Sequence, residues 1–105
     1  MTSRTRLFIQ KIPYGASIDR IIPFSNELTK TAKNFDGFID SNSYWPANSV
    51  DNILFTFTTW RSSNDWENWY NSLERKDIFA KHNIQFTTKI TPLITKKDPN
   101  DDFLL

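Results

Sequence analysis

The chain has 105 residues, enough for one hydrophobic core and too few for two. Its 13 basic and 12 acidic residues are spread along the chain and nearly cancel, leaving no electrostatic footprint for nucleic acid or an anionic membrane. With no cysteine and one histidine, a disulfide frame, a thiolate nucleophile and a multi-histidine metal site within one chain are excluded, and cytoplasmic surroundings are expected.

At the N-terminus the apolar run Leu7-Phe8-Ile9 is interrupted at Gln10 and Lys11, so it forms neither a signal-peptide core nor a membrane span. Residues 7–12, stopped by Pro13-Tyr14-Gly15, read as a buried strand. Ile18, Ile21, Ile22, Ser25, Leu28 and Ala32 then fall on one helical stripe, with Asn34-Phe35-Asp36-Gly37 as its stop. Pro23 inside that stripe predicts a kink, or a helix whose regular part begins there.

Residues 37–45 alternate in strand fashion, with Phe38, Asp40, Asn42 and Tyr44 predicted on one face. Residues 46–51 are turn-like, and residues 52–60 alternate again, so the two segments predict a hairpin. A second helix follows, opened by the capping pattern Ser62-x-x-Asp65. Trp66, Trp69, Tyr70 and Leu73 recur at i, i+3, i+4 and i+7 and are expected on one face against the sheet, with a break near Ser72. Residues 86–94 form the last strand, which Pro92 predicts to fray or to lie at an edge.

The order is β-α-β-β-α-β, which predicts an α+β fold: a ferredoxin-like antiparallel sheet with both helices on one face. This domain is expected over residues 1–94. Residues 95–105 form a polar tail ending in Phe103-Leu104-Leu105, expected to be disordered or to dock on a partner subunit. No helix remains for the second face of the sheet, and sixteen aromatic residues are a heavy load for so small a body. A homodimer with face-to-face sheets resolves both problems.

The string Phe57-Thr-Thr-Trp60-Arg-Ser-Ser-Asn-Asp-Trp66-Glu-Asn-Trp69-Tyr-Asn-Ser72-Leu-Glu-Arg75 resembles the antibiotic biosynthesis monooxygenase domain. In that family a strand ending in Trp-x-Ser leads into a helix bearing Trp-x-x-Trp-x-x-Ser. The segment Phe35-Asp36-Gly37-Phe38-Ile39 is similar to the family's Pro-Gly-Phe approach to its second strand. The resemblance covers residues 6–94 and implies a dimeric α+β barrel with a cleft between sheet and helices in each subunit. Family members are functionally mixed: some oxidise phenols with dioxygen and no cofactor, some cleave haem, and others act on quinones or small dicarbonyls.

Oxygenation without a cofactor needs a substrate ionised to an electron-rich anion, a group to hold that anion, and a dry aromatic cavity. Trp60, Trp66 and Trp69 are the candidate walls, with Gln10 as a further substrate-binding residue. His82, Asn42 and Tyr44 are the candidate catalytic groups. Packing alone also accounts for the tryptophans, and Asp40 and Asn42 also suit an exposed strand face. Arg75 is a candidate clamp for an anion or a helix-end charge paired with Glu74 or Asp77. In the haem-degrading branch Gln10, Trp69 and His82 would fall near an Asn, a Trp and an iron-ligating His. Gln10 departs from that pattern in type, and His82 lies a few positions beyond the expected spacing. The leading expectation is a homodimeric monooxygenase that uses neither metal nor organic cofactor on a small aromatic or quinone-like substrate. The alternatives are a non-catalytic binding or assembly module, and a haem-binding protein.

Overall fold

Burial alternates strictly along the central strand, and that alternation sets the fold. In the computed structural model, which describes residues 4–45 and 53–93, strand β1 (Thr5–Pro13) buries Leu7, Ile9 and Lys11 and turns Phe8, Gln10 and Ile12 the other way. It pairs antiparallel with β3 (Leu54–Trp60) on one side and β4 (Phe86–Leu93) on the other. Strand β2 (Phe38–Tyr44) adds to β3, giving the order β2-β3-β1-β4. Directly paired residues share a face. Leu54, Thr56, Thr58 and Trp60 of β3 and Thr88, Ile90 and Pro92 of β4 therefore lie on the Leu7 face.

Helices α1 (Ile18–Ala32), α2 (Ser63–Tyr70) and α3 (Leu73–His82) cover that face. The ferredoxin-like α+β fold is thus present, with the second helix of the unit split in two. Ser72 causes the split: its hydroxyl accepts from the Arg75 N–H at 3.2 Å, capping a new helix, and donates to the Trp69 carbonyl at 2.7 Å. The break changes the helical phase, so Leu73 does not share the face of Trp66, Trp69 and Tyr70 as its spacing predicts. It is the first residue of α3 and is 72% exposed.

Two further expectations are corrected. A bulge between Phe38 and Asp40 inserts one residue, so Phe38 faces the helices opposite Trp60 while Asp40, Asn42 and Tyr44 face away. Helix α1 begins at Ile18 and runs through Pro23 rather than starting there. Its Ser17 N-cap is extended and makes no side-chain capping bond, and Pro23 offers no N–H to the Asp19 carbonyl one turn back. Pro92 does lie on an edge strand, because β4 pairs with β1 alone. The predicted turn at 46–51 and the tail at 95–105 fall outside the described residues.

The core is aromatic. Phe24 of α1 stacks on Phe86 at 5.0 Å and meets Phe79 edge-on at 4.9 Å. Trp60 is fully buried and meets Phe38 and Trp66 edge-to-face. Its indole N–H donates to the Thr58 hydroxyl at 2.9 Å, which donates on to the Asp40 carbonyl at 3.1 Å, so burying the indole leaves no donor unpaired.

A corner of polar bonds joins the start of β2 to the end of β3. Gly37, at φ 86°, accepts the Arg61 N–H at 2.7 Å. The Arg61 guanidinium clamps the Asp65 carboxylate with two bonds of 2.9 and 3.0 Å. Ser62 caps α2 by accepting the Asp65 N–H at 3.1 Å and returns a bond to the same carboxylate at 2.8 Å. A side chain on Gly37 would collide with Asp65, so glycine is required here by space as well as by φ. Gly37→Ala is expected to cost roughly 1–3 kcal/mol, read from urea unfolding at neutral pH; an unchanged midpoint would contradict the corner.

The Arg61 bond, and after it the Ser62 bond, hold the Asp65 carboxyl below its ordinary value. Its stabilisation is therefore complete above the ordinary aspartate range and is lost as pH falls through the lowered value. Asp65→Asn is expected to destabilise the protein at pH 7 and to have little effect in strong acid, measured as urea midpoints at the two pH values.

Candidate functional site

Between the helices and the buried face of the sheet lies a cleft of about 520 Å³ of empty space out to its mouth. Its enclosed interior has room for a few waters. Strand alternation places Ser41 and Ser43 of β2, Thr56 and Thr58 of β3 and Thr88 of β4 on its floor. Ser43 and Thr56 share a hydrogen bond of 3.0 Å. The wall comes from α2, whose helical spacing turns Trp66, Trp69 and Tyr70 inward.

Two cations complete the lining. Lys11 stands on β1 in the phase of Leu7 and Ile9, between Leu54 and Thr88, and is only 5% exposed. Its ammonium makes no hydrogen bond among the described residues. Burial above all, and then the nearby Arg75 charge, push its pKa down to about 7. Arg75 enters the cleft from the first turn of α3, which the Ser72 cap starts. It donates to the Tyr70 carbonyl at 3.3 Å, and its guanidinium lies 4.2 Å from the Tyr70 ring centre and 4.6 Å from that of Phe79. Burial lowers its pKa as well. Among the described residues no aspartate or glutamate lines the cleft to balance these charges.

The residues singled out from sequence divide among four places. Trp66 and Trp69 line the cleft. Trp60 lies behind Trp66, with ring centres 6.1 Å apart, and supports it from the core. Gln10, Asn42 and Tyr44 sit on the opposite face of the sheet, where Gln10 pairs with Phe55 and Lys89. His82 closes α3, with its Nε2 2.8 Å from the Glu27 carboxylate and its ring edge against Phe24. Asn42, Tyr44 and His82 are thus not brought together, and none of them lines the cleft. No histidine among the described residues is offered to a haem iron in the cleft: His82 does not line it, and its Nε2 is engaged by Glu27. Among the described residues no three His, Asp or Glu side chains gather to hold a metal ion.

Sequence reasoning missed Lys11. The signal was present, since a lysine in the apolar phase of a central strand is rarely buried without a purpose. Its neighbour Gln10 drew attention instead, by its place in the haem pattern.

The other sheet face carries a ladder of rings. Phe8 stacks on Phe57 at 4.8 Å and on Phe55 at 5.8 Å, and Tyr44 meets Phe57 at 6.1 Å. Phe57 is 44% and Tyr44 54% exposed.

The four-stranded sheet with one helical layer and an intervening cleft is the fold of the antibiotic biosynthesis monooxygenase structures. The solved structure of an antibiotic biosynthesis monooxygenase superposes with a TM-score of 0.74 over 89% of this chain and 99% of its own, at 8% identity. SnoaB, a cofactor-independent oxygenase from Streptomyces nogalater, superposes with a TM-score of 0.76 over 93% of this chain and 98% of its own, at 9% identity. Rv0793 from Mycobacterium tuberculosis gives 0.72 over 92% and 99%, at 14% identity. No protein-family model matches the chain, and no curated protein matches it in sequence. Likeness at these identities defines the fold.

Because the folded-state pKa of Lys11 lies below its unfolded value, the unfolded chain binds more protons between about pH 7 and the ordinary lysine range. Stability therefore rises with pH across that window. Lys11→Met is expected to raise the urea midpoint at pH 6 and to flatten this alkaline rise; equal pH profiles for the two proteins would show that the amine is not buried.

Proposed function

We propose that the chain is an oxidoreductase that oxygenates a small aromatic or quinone-like molecule in the cleft, using dioxygen without metal or organic cofactor. The observation that supports this reading most is the cleft itself: indole walls, a hydroxyl-bearing floor and limited room for water. A named cofactor-independent oxygenase shares the fold. In such a reaction the substrate supplies the electrons. An ionised phenol passes an electron to dioxygen, the two radicals combine at a ring carbon, and the hydroperoxide loses water to leave a quinone. One oxygen atom enters the product and the other leaves as water, so a phenol and dioxygen account for every atom. The protein's share is to position the ring, hold the anion and exclude solvent.

We also propose a homodimer formed through the aromatic ladder of Phe8, Phe55, Phe57 and Tyr44, since an exposed ring cluster of this kind is commonly an interface. Gln10, Asn42 and Tyr44 would then serve the interface. Sedimentation is expected to give a dimer at micromolar concentration, and Phe57→Asp a monomer; a wild-type monomer would contradict this assembly.

Oxygen consumption with a panel of single-ring hydroquinones and phenols tests the reaction. One dioxygen per substrate is expected, with one labelled oxygen atom from ¹⁸O₂ in the product. Trp66→Ala is expected to lower kcat/KM roughly 10²-fold through loss of ring positioning. Aromatic ligands that bind in the cleft without any oxygen uptake would favour a non-catalytic binding module instead.

A further inference from the structure

We propose that Lys11 and Arg75 form the recognition site for an aromatic oxyanion, a single-ring molecule whose phenolate or carboxylate group sits between the two cations while its ring lies along Trp66 and Trp69. The inference rests on the cleft being the small-molecule site and adds the substrate class and the groups that select it.

Three observations carry it. First, the ionisable groups along the cleft are Lys11 from β1, Arg75 from α3 and Tyr70 from α2, while α1, β2, β3 and β4 contribute only hydroxyls and apolar groups among the described residues. Two cations therefore face one enclosed space with no carboxylate to offset them. Enclosing a lysine beside a fixed guanidinium without a counter-ion disfavours the lysine's charged form, and an anion supplied from outside would restore the balance for both groups. Second, Arg75 is held in place without any acidic partner. Its guanidinium is braced by the Tyr70 and Phe79 rings and the Tyr70 carbonyl, so most of its donors stay available to the cleft. By contrast Arg61 and Lys81 each pair with a carboxylate. Third, the α2 rings that line the cleft beside the two basic groups are large flat surfaces, which suit an aromatic body and not a bare inorganic anion.

The Lys11 amine also gives the site a proton acceptor near neutral pH. A bound phenol of comparable acidity, such as a nitrophenol, would transfer its proton to Nζ: the O–H bond breaks, an N–H bond forms with the nitrogen lone pair, and phenolate and ammonium remain as a pair. A ligand that arrives already ionised would instead draw a proton from solvent onto Lys11, because the new negative charge favours the ammonium form.

Three single-ring probes test this: 4-nitrobenzoate, its neutral isostere 4-nitrobenzamide and 4-nitrophenol, each titrated by tryptophan fluorescence and by calorimetry in buffers of different ionisation enthalpy. At least one anionic probe is expected to bind roughly 10- to 100-fold more tightly than the amide. Binding of 4-nitrobenzoate at pH 8 is expected to take up a proton. At pH 6 a yellow phenolate band from bound 4-nitrophenol, with tighter binding than the benzoate, would assign an acidic hydroxyl; the reverse order would assign a carboxylate. Lys11→Met should abolish the preference and the proton uptake, and Arg75→Gln should weaken the preference while keeping the uptake. The proposal is overturned if the amide binds as tightly as the anions, if the preference survives Lys11→Met, or if no probe binds. A protein that oxidises aromatic substrates yet shows no anion preference would refute this inference alone, whereas anion preference without oxygen uptake would refute only the oxygenase reading.

Discussion

The constraint on which the rest depends is the placement of β1 with neighbours on both edges and demands on both faces. Hydrogen bonding to β3 and β4 fixes its register, and register fixes which side chains see the helices. A slip of one residue would send Leu7, Ile9 and Lys11 to the open face and bring Phe8, Gln10 and Ile12 under α1. The hydrophobic core, the cleft and the aromatic ladder would all be lost together. The fold and the chemistry are two readings of one two-residue period.

The core tolerates a polar cleft because the aromatic packing is concentrated at its two ends. Phe24, Phe79 and Phe86 close one end, and Trp60, Phe38, Trp66, Phe35 and Trp69 close the other. Between them the hydroxyls of β2 and β3 form a floor that can satisfy itself, as Ser43 and Thr56 do, or a guest. Desolvating Lys11 and Arg75 sets part of the folding energy against the electrostatics of the site. Functional sites commonly accept such a cost when preorganised charge serves binding.

The sequence was legible wherever one local signal decided the outcome. Strand alternation and helical spacing gave the order of elements, Ser62 and Asp65 marked the start of α2, and Pro92 marked an edge. Failures arose where a single residue changed the phase. Ile39 within the β2 bulge separated Phe38 from Asp40, and the Ser72 cap separated Leu73 from Trp69. Both changes depend on hydrogen bonds that periodicity does not encode. For the site, Trp66 and Trp69 were legible because aromatic spacing on a helix is conspicuous. Lys11 was not, because its meaning depends on being enclosed, and enclosure by α1, α2 and α3 is a property of the assembled layers. Gln10, Asn42 and Tyr44 were placed on the right elements, and the exposed strand face that was open for Asn42 is the one it occupies.

The sheet's two borders carry a further consequence. An open border strand exposes backbone donors and acceptors that would let copies join side by side into an endless ribbon. Here β4 carries Pro92, which has no N–H to offer, and β2 carries its bulge between Phe38 and Asp40. Each interruption spoils lateral growth on its own flank. In the homodimer proposed above, which uses the aromatic surface instead, association between two copies would be finite because each surface is used up once it is covered.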